Sequence, residues 1–155
     1  MNKNAQQVNK MKKKIGFTLV ELLIVISVLG IIAAIVVPSF SDASMKTRTS
    51  ALKNDLQKVR TQIEVYKSQH YDNLPAYSGE SSSDFVLRLT SQTDSYGNSG
   101  SDYGPYLNKI PQNPYNGLSS VRIDGPAAGA NTDGWRFDSY NGIFQSDDST
   151  ENALL

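Results

Sequence analysis

Residues 16–40 read Gly16-Phe17-Thr18-Leu19-Val20-Glu21-Leu22-Leu23-Ile24-Val25-Ile26-Ser27-Val28-Leu29-Gly30-Ile31-Ile32-Ala33-Ala34-Ile35-Val36-Val37-Pro38-Ser39-Phe40, and this stretch decides the architecture. From Phe17 to Val37 only Thr18, Glu21, Ser27 and Gly30 interrupt an apolar series. As a helix rising about 1.5 Å per residue it is roughly 32 Å long, close to the roughly 30 Å hydrocarbon thickness of a bilayer. Lys3, Lys10, Lys12, Lys13 and Lys14 precede it, and the positive-inside rule then places the N-terminus in the cytoplasm and exports the rest. A cationic tail before an apolar run also describes a secretory signal peptide. The run is too long for that, no A-x-A cleavage site follows, and an acid sits inside it. A carboxylate at the centre of a bilayer costs about 2.5–3.5 kcal/mol, less near an end, so Glu21 needs a function or a partner.

Moving outward, the helical pattern continues past Pro38. Met45, Leu52, Leu56, Val59, Ile63, Tyr66 and His70 recur at spacings of three, four or seven and form one apolar stripe. Lys46, Arg48, Lys53, Asp55, Lys58, Arg60, Glu64 and Lys67 occupy the other faces as a solvated surface. His70, the single histidine, reads as a packing or helix-end residue rather than a catalytic one.

From Tyr71 the composition turns to Ser, Gly, Asn, Asp, Tyr and Pro, the mark of a compact, loop-rich domain. Asp84 to Thr90 reads as a short helix capped by Asp84, with Phe85 and Leu89 one turn apart. Tyr103 to Gly117 alternates turn formers with large apolar groups, which suits an ordered loop pinned by aromatics. Three strands are expected at Ser119 to Asp124, Gly134 to Asp138 and Gly142 to Gln145, with Asn141-Gly142 as a hairpin turn. Trp135 and Phe137 alternate with Arg136, so one face of the sheet covers the helix and the other meets water, with Trp135 a core anchor.

Gly16-Phe17-Thr18-Leu19-Val20-Glu21 after a lysine cluster resembles the processing site of type IV pilins and type II secretion pseudopilins. The likeness extends through Leu22 to Phe40, including Gly30 and Pro38, the fourteenth and twenty-second positions if cleavage follows Gly16. The passage around Asn113-Pro114-Tyr115 resembles the major pseudopilin in particular. The resemblance implies that a membrane prepilin peptidase cuts between Gly16 and Phe17 and that Phe17 is N-methylated. It also implies that Glu21 meets the new ammonium of a neighbouring chain, and that Gly30 and Pro38 allow the helix to loosen in a filament. Glycine at the cut lets the backbone enter a peptidase cleft.

The expected organisation is a leader at 1–16, a transmembrane and filament-core helix at 17–40, its periplasmic continuation at 41–71 and a small globular domain at 72–155. The fold class is α+β, pilin-like: a long N-terminal helix whose second half packs on a small antiparallel sheet. The implied role is a structural subunit of a type II secretion-like pseudopilus, with a type IV pilus pilin serving adhesion, motility or DNA uptake as the alternative. The implied location is the inner membrane, single-pass, and then a filament. Partners are copies of itself, other pseudopilins, the prepilin peptidase, an inner-membrane assembly platform, and lipid before assembly.

Charge and composition restrict the other classes. After residue 16 the chain holds 10 basic and 15 acidic side chains, and from Tyr71 onward 4 and 11, a surface that repels nucleic-acid phosphates. With no cysteine, no histidine beside a serine motif and no phosphate-binding glycine loop, an enzyme is not expected. No cofactor is expected. Asp124, Asp133 and Asp138, with Asp147 and Asp148, offer the hard oxygens calcium prefers, and the resemblance implies calcium in a C-terminal loop. Asp147 and Asp148 lie in a polar tail where both are expected to be solvated.

Overall fold

The computed structural model describes residues 16–155, so the lysine-rich stretch expected to form the leader lies outside the described residues. Helix α1 spans Leu19–Gln69, and α2 spans Ser82–Thr90. The strands follow as β1 (Val121–Ile123), β2 (Trp135–Asp138) and β3 (Ile143–Ser146), before a short 3-10 turn at Asn152–Leu154. Two compact units divide the chain, the first ending at Asp42 and the second running from Ala43 to Leu155.

In the second unit the helical stripe is the core. Leu52, Leu56, Val59, Ile63 and Tyr66 are buried together with Phe85 and Leu89 of α2, Leu107, Ile110, and Val121, Trp135, Phe137 and Phe144 of the sheet. Met45, expected at the head of the stripe, is exposed and lies outside the buried core. His70 is buried at the helix end, its ring stacked on Tyr66 at 3.7 Å, with Nε2 3.0 Å from Thr93 Oγ1. Trp135 is the expected anchor: fully buried, it donates its indole N–H to the Pro111 carbonyl at 2.8 Å, so its polar edge is satisfied inside the core.

Helix α2 starts at Ser82 rather than Asp84. Ser81 is the N-cap, and Asp84 at the third helical position accepts from the Ser81 N–H at 2.9 Å and the Ser81 hydroxyl at 2.7 Å. Asp84 therefore belongs to a capping box and is not itself the cap.

The sheet order is β1-β2-β3, and the expected all-antiparallel arrangement holds only for β2 and β3. Strands β1 and β2 run parallel, with Val121 opposite Trp135 and Ile123 opposite Phe137. A parallel pair needs a connection that returns along the strands. Here the 124–134 link supplies it, turning through left-handed positions at Asp124, Gly125, Gly129 and Asn131. Gly129 (φ 97°) is obligatory on two counts, since a Cβ there would also lie 2.5 Å from the Thr150 nitrogen.

The link passes over the face of the sheet expected to meet water. Arg122 and Arg136, side by side in register, both donate to the Pro126 carbonyl, at 2.9 and 3.0 Å. The β2–β3 connection is a four-residue loop, 139–142, rather than a two-residue Asn-Gly turn. Its first bend is built by Asp138 Oδ1, which accepts from the N–H groups of Tyr140 (3.0 Å) and Asn141 (2.9 Å).

The Asn113-Pro114-Tyr115 passage is tied down by a fully buried amide. Asn113 Nδ2 donates to the Gly134 carbonyl at 2.9 Å, to Ser146 Oγ at 2.8 Å and to Asp148 Oδ1 at 2.9 Å, while its oxygen accepts from the Tyr115 N–H at 2.9 Å. One side chain thus joins the ordered loop to the residue before β2, to β3 and to the C-terminal segment.

Candidate assembly and processing site

In the first unit, 18 residues from Leu19 to Val36 make a helix long and apolar enough to cross a membrane, and none of that window is buried within the chain. Leu19, Leu22, Leu23, Ile24, Ile26, Leu29, Ile31 and Ile35 are all more than half exposed. Burial of such side chains is worth about 1.5–3 kcal/mol each. So large an uncovered apolar surface requires lipid or other chains around it.

The polar side chains of this segment find partners inside it. Thr18 is the residue before the helix. Its N–H and hydroxyl donate to Glu21 Oε2 at 2.8 and 2.9 Å, and the Glu21 N–H donates back to the Thr18 hydroxyl at 3.2 Å. This is a reciprocal capping box, and it places an acid where the helix dipole favours negative charge. Ser27 donates its hydroxyl to the Leu23 carbonyl at 2.7 Å. In a hydrocarbon solvent, which offers no hydrogen bonds, this internal pairing lowers the cost of Thr18, Glu21 and Ser27.

The partnership of Thr18 with Glu21 has a signal in the sequence. Thr18-x-x-Glu21 immediately before an apolar run is the capping-box pattern.

Gly16 and Phe17 precede the helix in non-helical backbone, with Phe17 exposed. A methyl group built on either Gly16 or Gly30 would meet nothing within 4 Å. Neither glycine is therefore required by packing within the chain. Pro38 falls inside α1, and its side chain lies outside the described residues.

The structure does not bring the calcium candidates together. Asp124 accepts from the Ser139 N–H and hydroxyl at 2.8 and 2.7 Å, which ties the 139–142 loop to the end of β1. Asp138 shapes that loop and lies 3.4 Å from Arg136, and Asp133 accepts from the Thr132 hydroxyl. Among the described residues no group of three or more His, Asp or Glu side chains converges on a metal position.

Asp147 and Asp148 overturn the expectation of a solvated tail. Asp147 is fully buried and pairs with Arg122 at 2.7 Å. Burial pushes its carboxyl upward, but the Arg122 hydrogen bond and charge, with the N–H groups of Asp133 and Gly129, outweigh it and hold it below the usual carboxylate range. Asp148 is held low in the same sense: burial raises it, and donation from Ser146, Asn113 and Asn152 more than compensates. The oxygens that calcium would need already accept from N–H and O–H donors, and two guanidinium groups lie among them. A site so furnished does not fit the ion.

Comparison with known proteins bears on the same segment. Residues 11–37 match the family model described as the prokaryotic N-terminal methylation motif. Type II secretion system core protein G of Pseudomonas aeruginosa is 27% identical over 104 residues, which cover 67% of this chain and 70% of that protein. A fimbrial protein of Pseudomonas aeruginosa is 37% identical over 54 residues, 35% of each chain. The type IV major alpha-pilin of Moraxella bovis is 40% identical over 50 residues, 32% of this chain and 31% of that one. The chain thus spans only about a third of the length of these two pilins. No solved structure matches it. With the methylation motif and the uncovered apolar helix behind it, the chain is similar at its N-terminal end to type IV pilins and over two thirds of its length to a type II secretion core protein.

Proposed function

We propose that this chain is a structural subunit of a type II secretion-like pseudopilus. The observation that carries the proposal is the apolar helix Leu19–Val36, unburied by its own chain and placed directly after Gly16-Phe17. Residues 1–16 are the leader, 17–40 the membrane and filament-core helix, 41–71 its periplasmic continuation and 72–155 the exported domain. The precursor crosses the inner membrane once with its lysines in the cytoplasm. The prepilin peptidase cuts between Gly16 and Phe17, Phe17 is methylated, and an inner-membrane platform moves the apolar helix out of lipid into a bundle of its own kind. Gly30 and Pro38 weaken the helix between them for that transfer. The chain acts as a building unit and not as an enzyme.

Glu21 has two roles in this proposal. Within the subunit it completes the capping box with Thr18. Between subunits it accepts the cleaved N-terminal ammonium of a neighbour and so sets the register of the incoming chain.

Support for a pseudopilus over a pilus comes from the reach of the likeness. Core protein G is similar over 70% of its length, whereas the pilins are similar over about a third of theirs. A type IV pilus remains the second proposal, because those pilins share the higher identity in their matched stretches.

The deciding experiment is the accurate mass of the N-terminal peptide from purified membranes. A methylated peptide beginning at Phe17 is expected, and native material retaining the lysines refutes the proposal. Glu21→Gln is expected to be cleaved normally yet to form fewer filaments by electron microscopy. Filaments at wild-type abundance would remove the register role.

A further inference from the structure

The 124–134 link is organised around one ion pair, and its two halves face opposite charges. Arg122 Nη1 donates to the carbonyls of Asp124 at 2.6 Å and Pro126 at 2.9 Å, and Nη2 donates to Asp147 Oδ1 at 2.7 Å. Two backbone carbonyls and one carboxylate oxygen are the kind of ligand set that a hard divalent cation collects. The far half of the link gathers on the anion instead. Asp147 Oδ1 accepts from the N–H groups of Gly129 (3.1 Å) and Ala130 (3.3 Å), and Oδ2 accepts from the Thr132 hydroxyl (3.1 Å) and the Asp133 N–H (3.3 Å). Carbonyls therefore converge on the positive group and amides on the negative one, which closes the crossover over the outer face of the sheet.

We propose that the Arg122 guanidinium is the resident cation of this link, taking the place that calcium would hold in a loop of this kind, so that the exported domain folds independently of calcium. Three observations bear on it. Asp147 is fully buried and the Arg122 side chain only 16% exposed, so the pair is withdrawn from solvent. Arg136 reinforces the positive end through its own bond to the Pro126 carbonyl. The other carboxylates nearby have separate work, Asp124 on Ser139 and Asp138 on the 139–142 loop, which leaves Asp147 as the anion of this centre.

The guanidinium is not a perfect fit. Arg122 Nε is buried without a hydrogen-bond partner, so the group engages the link through its two terminal nitrogens alone. It is these two nitrogens that a compact cation could replace. An Arg122→Ala chain would leave the carbonyls of Asp124 and Pro126 and one oxygen of Asp147 around the vacated space.

The proposal stands apart from the filament assignment, because its test reads only the folding of the domain. The full chain, purified in detergent, is melted while Trp135 fluorescence is followed, with a calcium chelator or with millimolar calcium chloride. The wild-type midpoint is expected to be the same in both. Arg122→Ala is expected to melt roughly 10 °C lower in chelator and to recover part of that loss in calcium. Arg122→Lys keeps the charge without the fork, and is expected to lose less and to ignore calcium. If Arg122→Ala accumulates unfolded, its refolding yield is compared with and without calcium, and an increase with calcium supports the proposal. A wild-type midpoint that drops in chelator overturns it. So does an Arg122→Ala chain as stable as wild type, or one whose melting and refolding are both indifferent to calcium.

Discussion

The two ends of α1 are one continuous helix, yet they are built for different surroundings. Up to Val36 its leucines and isoleucines are uncovered, Leu23 at 59% exposure and Ile26 at 55%. From Leu52 to Tyr66 the same kinds of side chain are closed off completely by the domain. Periodicity separates the two regimes. Apolar residues all around the cylinder suit a solvent that is itself apolar, while an apolar stripe between charged faces suits one packed neighbour and water elsewhere. Stability of the monomer therefore resides in the second stretch, and the first stretch holds its potential contacts for lipid or other subunits.

Phe137→Ala should expose that contrast most strongly. Phe137 is fully buried and packs on Phe85 with ring centroids 4.7 Å apart, so its loss should cost about 3–5 kcal/mol of domain stability, measured by urea unfolding followed at Trp135. A loss below about 1 kcal/mol would mean that the core collapses onto the space, against the packing described.

Asp147→Asn comes next. It leaves the Arg122 charge largely buried and uncompensated, and a loss of about 3 kcal/mol is expected at neutral pH. The sign of the pH effect follows from the lowered carboxyls of Asp147 and Asp148. A carboxyl whose folded value lies below its unfolded one, about 3.9, stabilises fully above that value and loses its contribution as pH falls through the folded one. Domain stability should therefore hold steady near neutrality and decline below about pH 4. Asp147→Asn should flatten part of that decline, and an unchanged acid profile in the variant would remove Asp147 as its source.

Thr18→Ala tests the start of the helix. Its effect should be confined to the first turn, appearing as faster hydrogen exchange at the Glu21 and Leu22 amides in detergent, with the melting of the domain unchanged. Ile26→Ala should have the smallest effect on the isolated subunit, indeed none on domain melting, because Ile26 is exposed and takes no part in the domain core. A measurable shift there would break the division of labour between the two stretches.

The apolar span, the stripe from Leu52 to His70 and the three strands were legible in the sequence because each rests on local periodicity. Trp135 was legible as an anchor because its neighbours alternate around it. The parallel pairing of β1 and β2 was not. Three short strands joined by turns favour a meander, and only the passage of the 124–134 link over Arg122 and Arg136 selects the other arrangement. Asp147 was misjudged for a related reason. Polar neighbours on its own segment suggested solvent, while the groups that enclose it, Arg122 and the link amides, come from 14 to 25 residues away. Burial of a charge is a long-range property, and no local pattern encodes it.

The capping box at the head of α1 leaves an asymmetry in its carboxylate. Both bonds from Thr18 fall on Glu21 Oε2, and among the described residues Oε1 accepts none. Were Glu21 to accept a neighbour's ammonium as proposed, the acid could stay tethered to its own first turn and offer the idle oxygen, and docking would demand no rupture of the helix start.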